Sequence, residues 1–126
     1  MKKEPIKTDK APTPTGPFNQ AIRAGNFVFT SGQAGRNRDT GQMGDIQDQA
    51  RRCIGNLSGV LEAAGSSLAQ VVKATIFLKN QEDWKAFNEV YSELMPQPLP
   101  ARSSVFANLK SPDMLVEMEV IAIVAD

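Results

Sequence analysis

Between positions 115 and 124 the chain reads LVEMEVIAIV, and no other stretch restricts the fold as much. Successive side chains of an extended strand point to opposite faces, so Val116, Met118, Val120, Ala122 and Val124 form one wholly apolar face. The other face carries Leu115, Glu117, Glu119, Ile121 and Ile123, too apolar for open water and too charged for a core. If helices cover only the first face, self-association is the simplest way to bury the second, which puts Glu117 and Glu119 in or beside a subunit interface. A carboxylate there is costly unless it is paired, hydrated or functional.

The rest of the chain supplies the layers. Residues 1–15 are polar and hold Pro5, Pro12 and Pro14, which predicts an extended leader running into one domain over residues 16–126. Gly25-Asn26 is a two-residue turn signal, and the segments from Asn19 to Ala24 and Phe27 to Ser31 around it form a predicted hairpin. The run from Gly32 to Gly44 reads as a loop. Asp45 caps a predicted helix in which Ile46, Ala50, Cys53, Ile54, Leu57, Val60, Leu61 and Ala64 recur at helical spacing until Gly65.

Val71 to Leu78 alternates as a strand, with Val72, Ala74, Ile76 and Leu78 on one face. A second helix carries Trp84, Phe87, Val90, Tyr91 and Leu94 on one stripe and ends at the prolines 96, 98 and 100. Two strands follow, Ala101 to Ala107 and Leu115 to Val124, around a turn at Lys110 to Asp113. The predicted class is therefore α+β, in the order ββαβαββ, with a mixed sheet and both helices on one of its faces.

Composition excludes several kinds of chemistry. Lysine plus arginine equals aspartate plus glutamate at 14 each, so overall charge favours neither nucleic acid nor an anionic membrane. With no histidine and one cysteine, the residues that usually build zinc, haem and iron–sulfur sites are missing, and so is every mechanism with a histidine base. No metal and no cofactor are expected. No stretch approaches the roughly 18 apolar residues of a membrane span, and the N-terminus has no apolar signal core. A non-exported, cytoplasmic protein is the expectation.

Two groups remain that could carry chemistry. Arg102 opens a predicted strand with Ser104 beside it on the same face, a pairing that suits a carboxylate ligand, although an ion pair with a glutamate is the commoner use of such an arginine. Glu117 and Glu119 share a face, so their repulsion can raise one pKa into a range useful for acid–base work; pairing across the interface is the alternative. TSGQAG, from Thr30 to Gly35, lacks the lysine and spacing of a phosphate loop and reads as a strand end open to close backbone approach. Cys53 lies on the apolar stripe of its helix and reads as a structural thiol, and Trp84 and Phe87 read as core.

GPFNQA, FTSGQAG, NLSGVLEAAGSSLAQVVKATIFL, FNEVY and PARSSVFANL…VEMEVIAI, in this order from Gly16 to Ile123, resemble the YjgF/RidA family of reactive intermediate deaminases, the endoribonuclease L-PSP family. The resemblance implies a chorismate-mutase-like domain assembled as a homotrimer, with the sheets as an inner barrel and ligand clefts between subunits. It also implies cofactor-free hydrolysis of short 2-imino acids, such as 2-iminobutanoate and 2-iminopropanoate, to 2-keto acids and ammonia. By the same resemblance Arg102 grips the substrate carboxylate, Glu117 positions or activates water, Ser31 and Gly32 line the cleft, and Asn88 lies near it. At Phe18 many of these deaminases carry tyrosine, and at Ser104 many carry cysteine, so this cleft lacks that hydroxyl and that thiol. A non-catalytic keto-acid or amino-acid sensor and a chaperone-like or translational role are the competing readings.

Overall fold

The computed structural model describes residues 1–124. Its strands and helices are β1 (Lys3–Ile6), β2 (Ala21–Ala24), β3 (Phe27–Thr30), β4 (Gln33–Ala34), α1 (Ile46–Ala63), β5 (Val71–Leu78), α2 (Trp84–Leu94), β6 (Ala101–Phe106) and β7 (Val116–Ile123). The hairpin, both helices and the three later strands lie where the sequence predicts. Two strands were not predicted: β1, from the leader, pairs antiparallel with β2, and β4, from the expected loop, pairs with β7. The strand order is β1-β2-β3-β7-β5-β6, with β4 beside β7. Only β5 and β6 run parallel, and α2 is the crossover that a parallel pair requires.

Helix α1 starts on a reciprocal capping box, in which the Asp45 carboxylate accepts from the Asp48 amide and the Asp48 carboxylate accepts from the Asp45 amide. It ends at Gly65, whose φ of 83° suits a residue without Cβ. One apolar cluster joins Ile54, Leu57 and Leu61 of α1, Phe87, Val90 and Tyr91 of α2, Ala74, Ile76 and Leu78 of β5, and Val116, Met118, Val120 and Ala122 of β7. Both helices therefore cover the same sheet face, and the alternation read in the last strand holds residue by residue.

Two packing expectations need correction. Val71, not Val72, is buried at the start of β5, because Val71 pairs with Ala122 while Lys73 pairs with Ile121; the extra residue is a bulge that reverses the alternation. Trp84 is 41% exposed instead of sitting in the core beside the fully buried Phe87. The leader is held by the buried Gln20, whose amide nitrogen donates to the carbonyls of Thr8 and Pro12 (3.0 Å each) while its oxygen accepts from the Thr8 amide (2.7 Å). No helix among the described residues is long and apolar enough to cross a membrane.

Gly35 packs so closely on α1 that a Cβ there would stand 2.3 Å from the Gln49 backbone, whereas a Cβ on Gly55, within α1, would meet nothing within 4 Å. Gly35→Ala should therefore lose about 2 kcal/mol or more of stability, the scale of overpacking. Gly55→Ala should instead gain about 0.5–1 kcal/mol, because alanine loses less backbone freedom in a helix. Urea unfolding of the two variants checks both signs.

Candidate functional site

The first half of the site is made by an irregularity between β3 and β4. Phe29 pairs with Ile121 and Gln33 with Met118, so the β3–β4 side has one residue more than β7 between those pairs, and Ser31-Gly32 are pushed out of the ladder. Thr30 bridges the gap: its hydroxyl oxygen accepts from the Val120 amide at 2.9 Å. Ser31 is fixed from behind, its amide donating to Gln20 O (2.9 Å) and its hydroxyl to Asn19 O (2.6 Å). Opposite the displaced pair, Glu117 lies against Gly32 so closely that a Cβ on that glycine would stand 2.7 Å from the Glu117 carboxylate oxygen.

Glu117 thus forms part of a cleft of about 700 Å³ that is also lined by Phe18, Ser31, Gly32, Lys110 and the leader residues Pro12 to Thr15. Burial pushes the Glu117 carboxyl above its ordinary value; the negative charge of Glu119 adds to the rise and the ammonium of Lys110 opposes it. The mutual repulsion of the two glutamates read in the sequence is present, but burial is the larger cause. Cys53 is no candidate nucleophile: it is fully buried, its thiol donates to Gln33 O at 3.0 Å, and burial holds its pKa far above the ordinary thiol value.

The second half is built on Arg102. Arg102 and Ser104 pair with Ala74 and Ile76, two fully buried residues, so they face the helices. The Arg102 Nε donates to Ser104 Oγ at 2.9 Å and its Nη2 to Asn88 Oδ1 at 2.7 Å. Asn88 and Ser104, which the resemblance placed among the ligand-binding residues, here hold the arginine. The guanidinium carbon lies 4.6, 5.1 and 5.6 Å from the ring centroids of Tyr91, Trp84 and Phe87. Burial draws its pKa down, with Tyr91 acting the other way, yet an arginine starts so high that it stays charged.

Among the described residues, two of the five guanidinium N–H donors, those on the Nε/Nη2 edge, are used, which leaves the Nη1/Nη2 edge for a two-pronged bond to a carboxylate. The alternative partner, an ion pair between Arg102 and a glutamate, is not among the ion pairs of the described residues.

Pairing also fixes how the halves relate. Phe77 of β5 sits opposite both Glu117 of β7 and Val105 of β6, so Glu117 points away from the helices while Arg102 points towards them. The two strands flank β5, about 10 Å apart at ordinary strand spacing. Within one chain, then, Phe18, Ser31, Gly32 and Glu117 come together, and Asn88, Arg102 and Ser104 come together, on opposite faces of the sheet. Sequence reasoning missed Trp84 and Tyr91 as neighbours of Arg102; their spacing with Asn88, at i, i+4 and i+7, was the available signal. It also missed Lys110 as a neighbour of Glu117.

Comparison with known proteins finds similarity over nearly the whole chain. Residues 8–124 match the profile of the family described as endoribonuclease L-PSP. A RutC family protein of Pyrococcus abyssi is 48% identical over 97% of this chain and 98% of its own. A 2-iminobutanoate/2-iminopropanoate deaminase of Dermatophagoides farinae is 40% identical over 94% of each. Among solved structures, E. coli TdcF with bound serine superposes with a TM-score of 0.92 at 35% identity, covering 98% of this chain and all (100%) of that one. RidA from an Antarctic Psychrobacter superposes at 0.91 and 35%, covering 96% and 99%. Residues that cradle Glu117 and Arg102 are thus set in a fold and sequence shared from end to end with these proteins, and the chain belongs to the endoribonuclease L-PSP (YjgF/RidA) family.

Proposed function

We propose that this protein is a hydrolytic deaminase of short 2-imino acids, acting at a site shared by two copies of the chain. The observation that carries the reading is the division of the site: a preset arginine with a two-pronged edge left open on one sheet face, and a half-buried carboxylate in an open cleft on the other. Neither half alone can hold a small acid and also deliver a water to it. A neighbouring copy that brings its Arg102 to the cleft of Glu117 completes the site. The deaminase and RidA names of relatives support the same reaction, and serine held by a close structural neighbour is a ligand of matching size and charge.

In this reading Arg102 binds the carboxylate of the imino acid and fixes its electrophilic C=N carbon near Glu117. Glu117 takes a proton from a water molecule as the oxygen attacks that carbon of the protonated imine, giving a neutral carbinolamine. It then returns this proton to the nitrogen, and the C–N bond breaks with its electron pair leaving on ammonia. The carbinolamine hydroxyl proton passes to the departing ammonia, so the products are the 2-keto acid and ammonium. No redox change occurs and no metal or organic cofactor is required.

The sheet face away from the helices supports the assembly, because Phe27, Phe29, Val105 and Ile123 are 39–47% exposed there in a single copy. We read the assembly as a homotrimer with that face turned inward, as the family resemblance implies. Ile121→Lys, which places a charge on this face, should shift the protein towards monomer and abolish turnover. Analytical ultracentrifugation together with ammonia release checks it, and a wild-type chain that sediments as a monomer at micromolar concentration would contradict the shared site.

The two central residues should fail differently. Arg102→Ala should lose affinity for a product keto acid such as 2-ketobutyrate, and Arg102→Lys should restore little, since an ammonium cannot present two parallel donors. Glu117→Gln should keep that affinity while kcat drops about 10²-fold or more. Calorimetric titration beside an assay trapping 2-iminobutanoate with semicarbazide separates the cases.

Because Glu117 must be ionised to accept a proton, and burial raises its pKa, activity should fall on the acid side at a pH above the ordinary carboxylate value of 4.5. Glu119→Gln removes a neighbouring negative charge and should move that limb to lower pH; Lys110→Ala should move it higher. Profiles of kcat/KM against pH for both variants give the two signs.

A further inference from the structure

A carboxylate clamp needs more than the arginine itself, since a free arginine side chain samples many rotamers and fixing it on binding costs affinity. Asn88 and Ser104 fix the guanidinium within its own plane. They do nothing to hold that plane against rotation out of it. The groups that can do so are aromatic: Tyr91, Trp84 and Phe87 stand around the guanidinium carbon at 4.6, 5.1 and 5.6 Å. Three come from α2, whose residues 84, 87, 88 and 91 fall on one helical face and present three rings and one amide to the same cation.

We propose that Trp84 and Tyr91 are positioning residues for the carboxylate-binding Arg102: with Phe87 they form an aromatic seat that sets the plane of its guanidinium and leaves one edge turned to the ligand. The inference rests on the reading of Arg102 as the carboxylate clamp. Two features separate it from ordinary core packing. Trp84 is 41% exposed, an unfavourable place for an indole unless its face is in use, and its ring also lies against Phe106 at 6.1 Å, which fixes its tilt. Tyr91 is 4% exposed, and its hydroxyl has no hydrogen-bond partner among the described residues, so the phenol is held there for its ring. The aromatic faces supply negative quadrupole to a partly desolvated cation without giving it a carboxylate that would compete with the ligand.

The test compares Trp84→Leu, Trp84→Phe and Tyr91→Phe in the full-length protein. Leucine keeps apolar bulk but has no π face, so Trp84→Leu should weaken 2-ketobutyrate binding and raise KM about tenfold, between the effects of an exposed and a desolvated cation–π contact. Its kcat should stay within about twofold, as for lost ground-state binding, and its thermal midpoint should be unchanged. Trp84→Phe should recover most of the affinity, and Tyr91→Phe, which keeps the ring, should bind as the wild type does. A second readout needs no ligand: the Arg102 Nε–H proton resonance, assigned by its loss in Arg102→Ala, should be displaced by the ring currents in the wild type and Trp84→Phe and should return towards the free-arginine position in Trp84→Leu. Equal binding by the leucine and phenylalanine variants, or a resonance unmoved by Trp84→Leu, would overturn the seat. A wild type that binds no keto acid would instead overturn the clamp reading, and the resonance would still report on the seat.

Discussion

The pairing of β7 is the constraint on which the rest of the molecule depends. It is hydrogen-bonded to β3 and β4 on one side and β5 on the other, so its side-chain parity fixes the faces of the strands around it. Val116, Met118, Val120 and Ala122 go to the helices and are at most 2% exposed, which commits Glu117 and Glu119 to the opposite face. A shift of one residue would bury both carboxylates under α1 and α2 and turn the valines outward. The bulge at Ser31-Gly32 follows from holding this register, and the cleft beneath Glu117 follows from the bulge.

The same parity sends Arg102 the other way. Through β5 it is tied to the helix side, where Asn88, Ser104 and three rings receive its guanidinium. Removing a cation from water here is offset by two hydrogen bonds and the aromatic faces, while the remaining donors have no hydrogen-bond partner among the described residues. On the proposed reading, an arginine prepared in this way and a carboxylate raised by burial are the two halves of one hydrolytic site, joined when a second copy supplies the missing half. The apolar outer face of the sheet offers the driving force for that association.

Much of this was legible in the sequence because it follows from local rules. The alternation of the last strand, the Asp45 cap, the Gly65 stop and the Arg102–Ser104 adjacency each need only a few neighbouring residues. The resemblance to a known family then marked Glu117 and Arg102 as a pair. Hidden features were those set by distant partners. Lys3–Ile6 has no strong strand pattern and is extended because β2 offers an edge; Gln33–Ala34 joins the sheet because β7 continues past the bulge. Val71 and Val72 are equally apolar, and only pairing with Ala122 and Ile121 decides which is buried. Trp84 looks like a core residue on a helical stripe until the cation it covers arrives from β6, and the separation of the two half-sites on opposite faces is a property of strand order, which no local pattern contains.

The central claim, that two copies share one site, is tested most directly by mixing two inactive chains. Arg102→Ala and Glu117→Gln subunits would be unfolded together, refolded and assayed for imine hydrolysis. In a shared site some interfaces unite the intact arginine of one chain with the intact glutamate of another, so random assembly of equal amounts should restore on the order of a quarter of wild-type activity. If each chain carried a whole site, every site in the mixture would keep one lesion, and activity no greater than that of the separate variants, in a mixture shown to contain hybrid oligomers, would contradict the account.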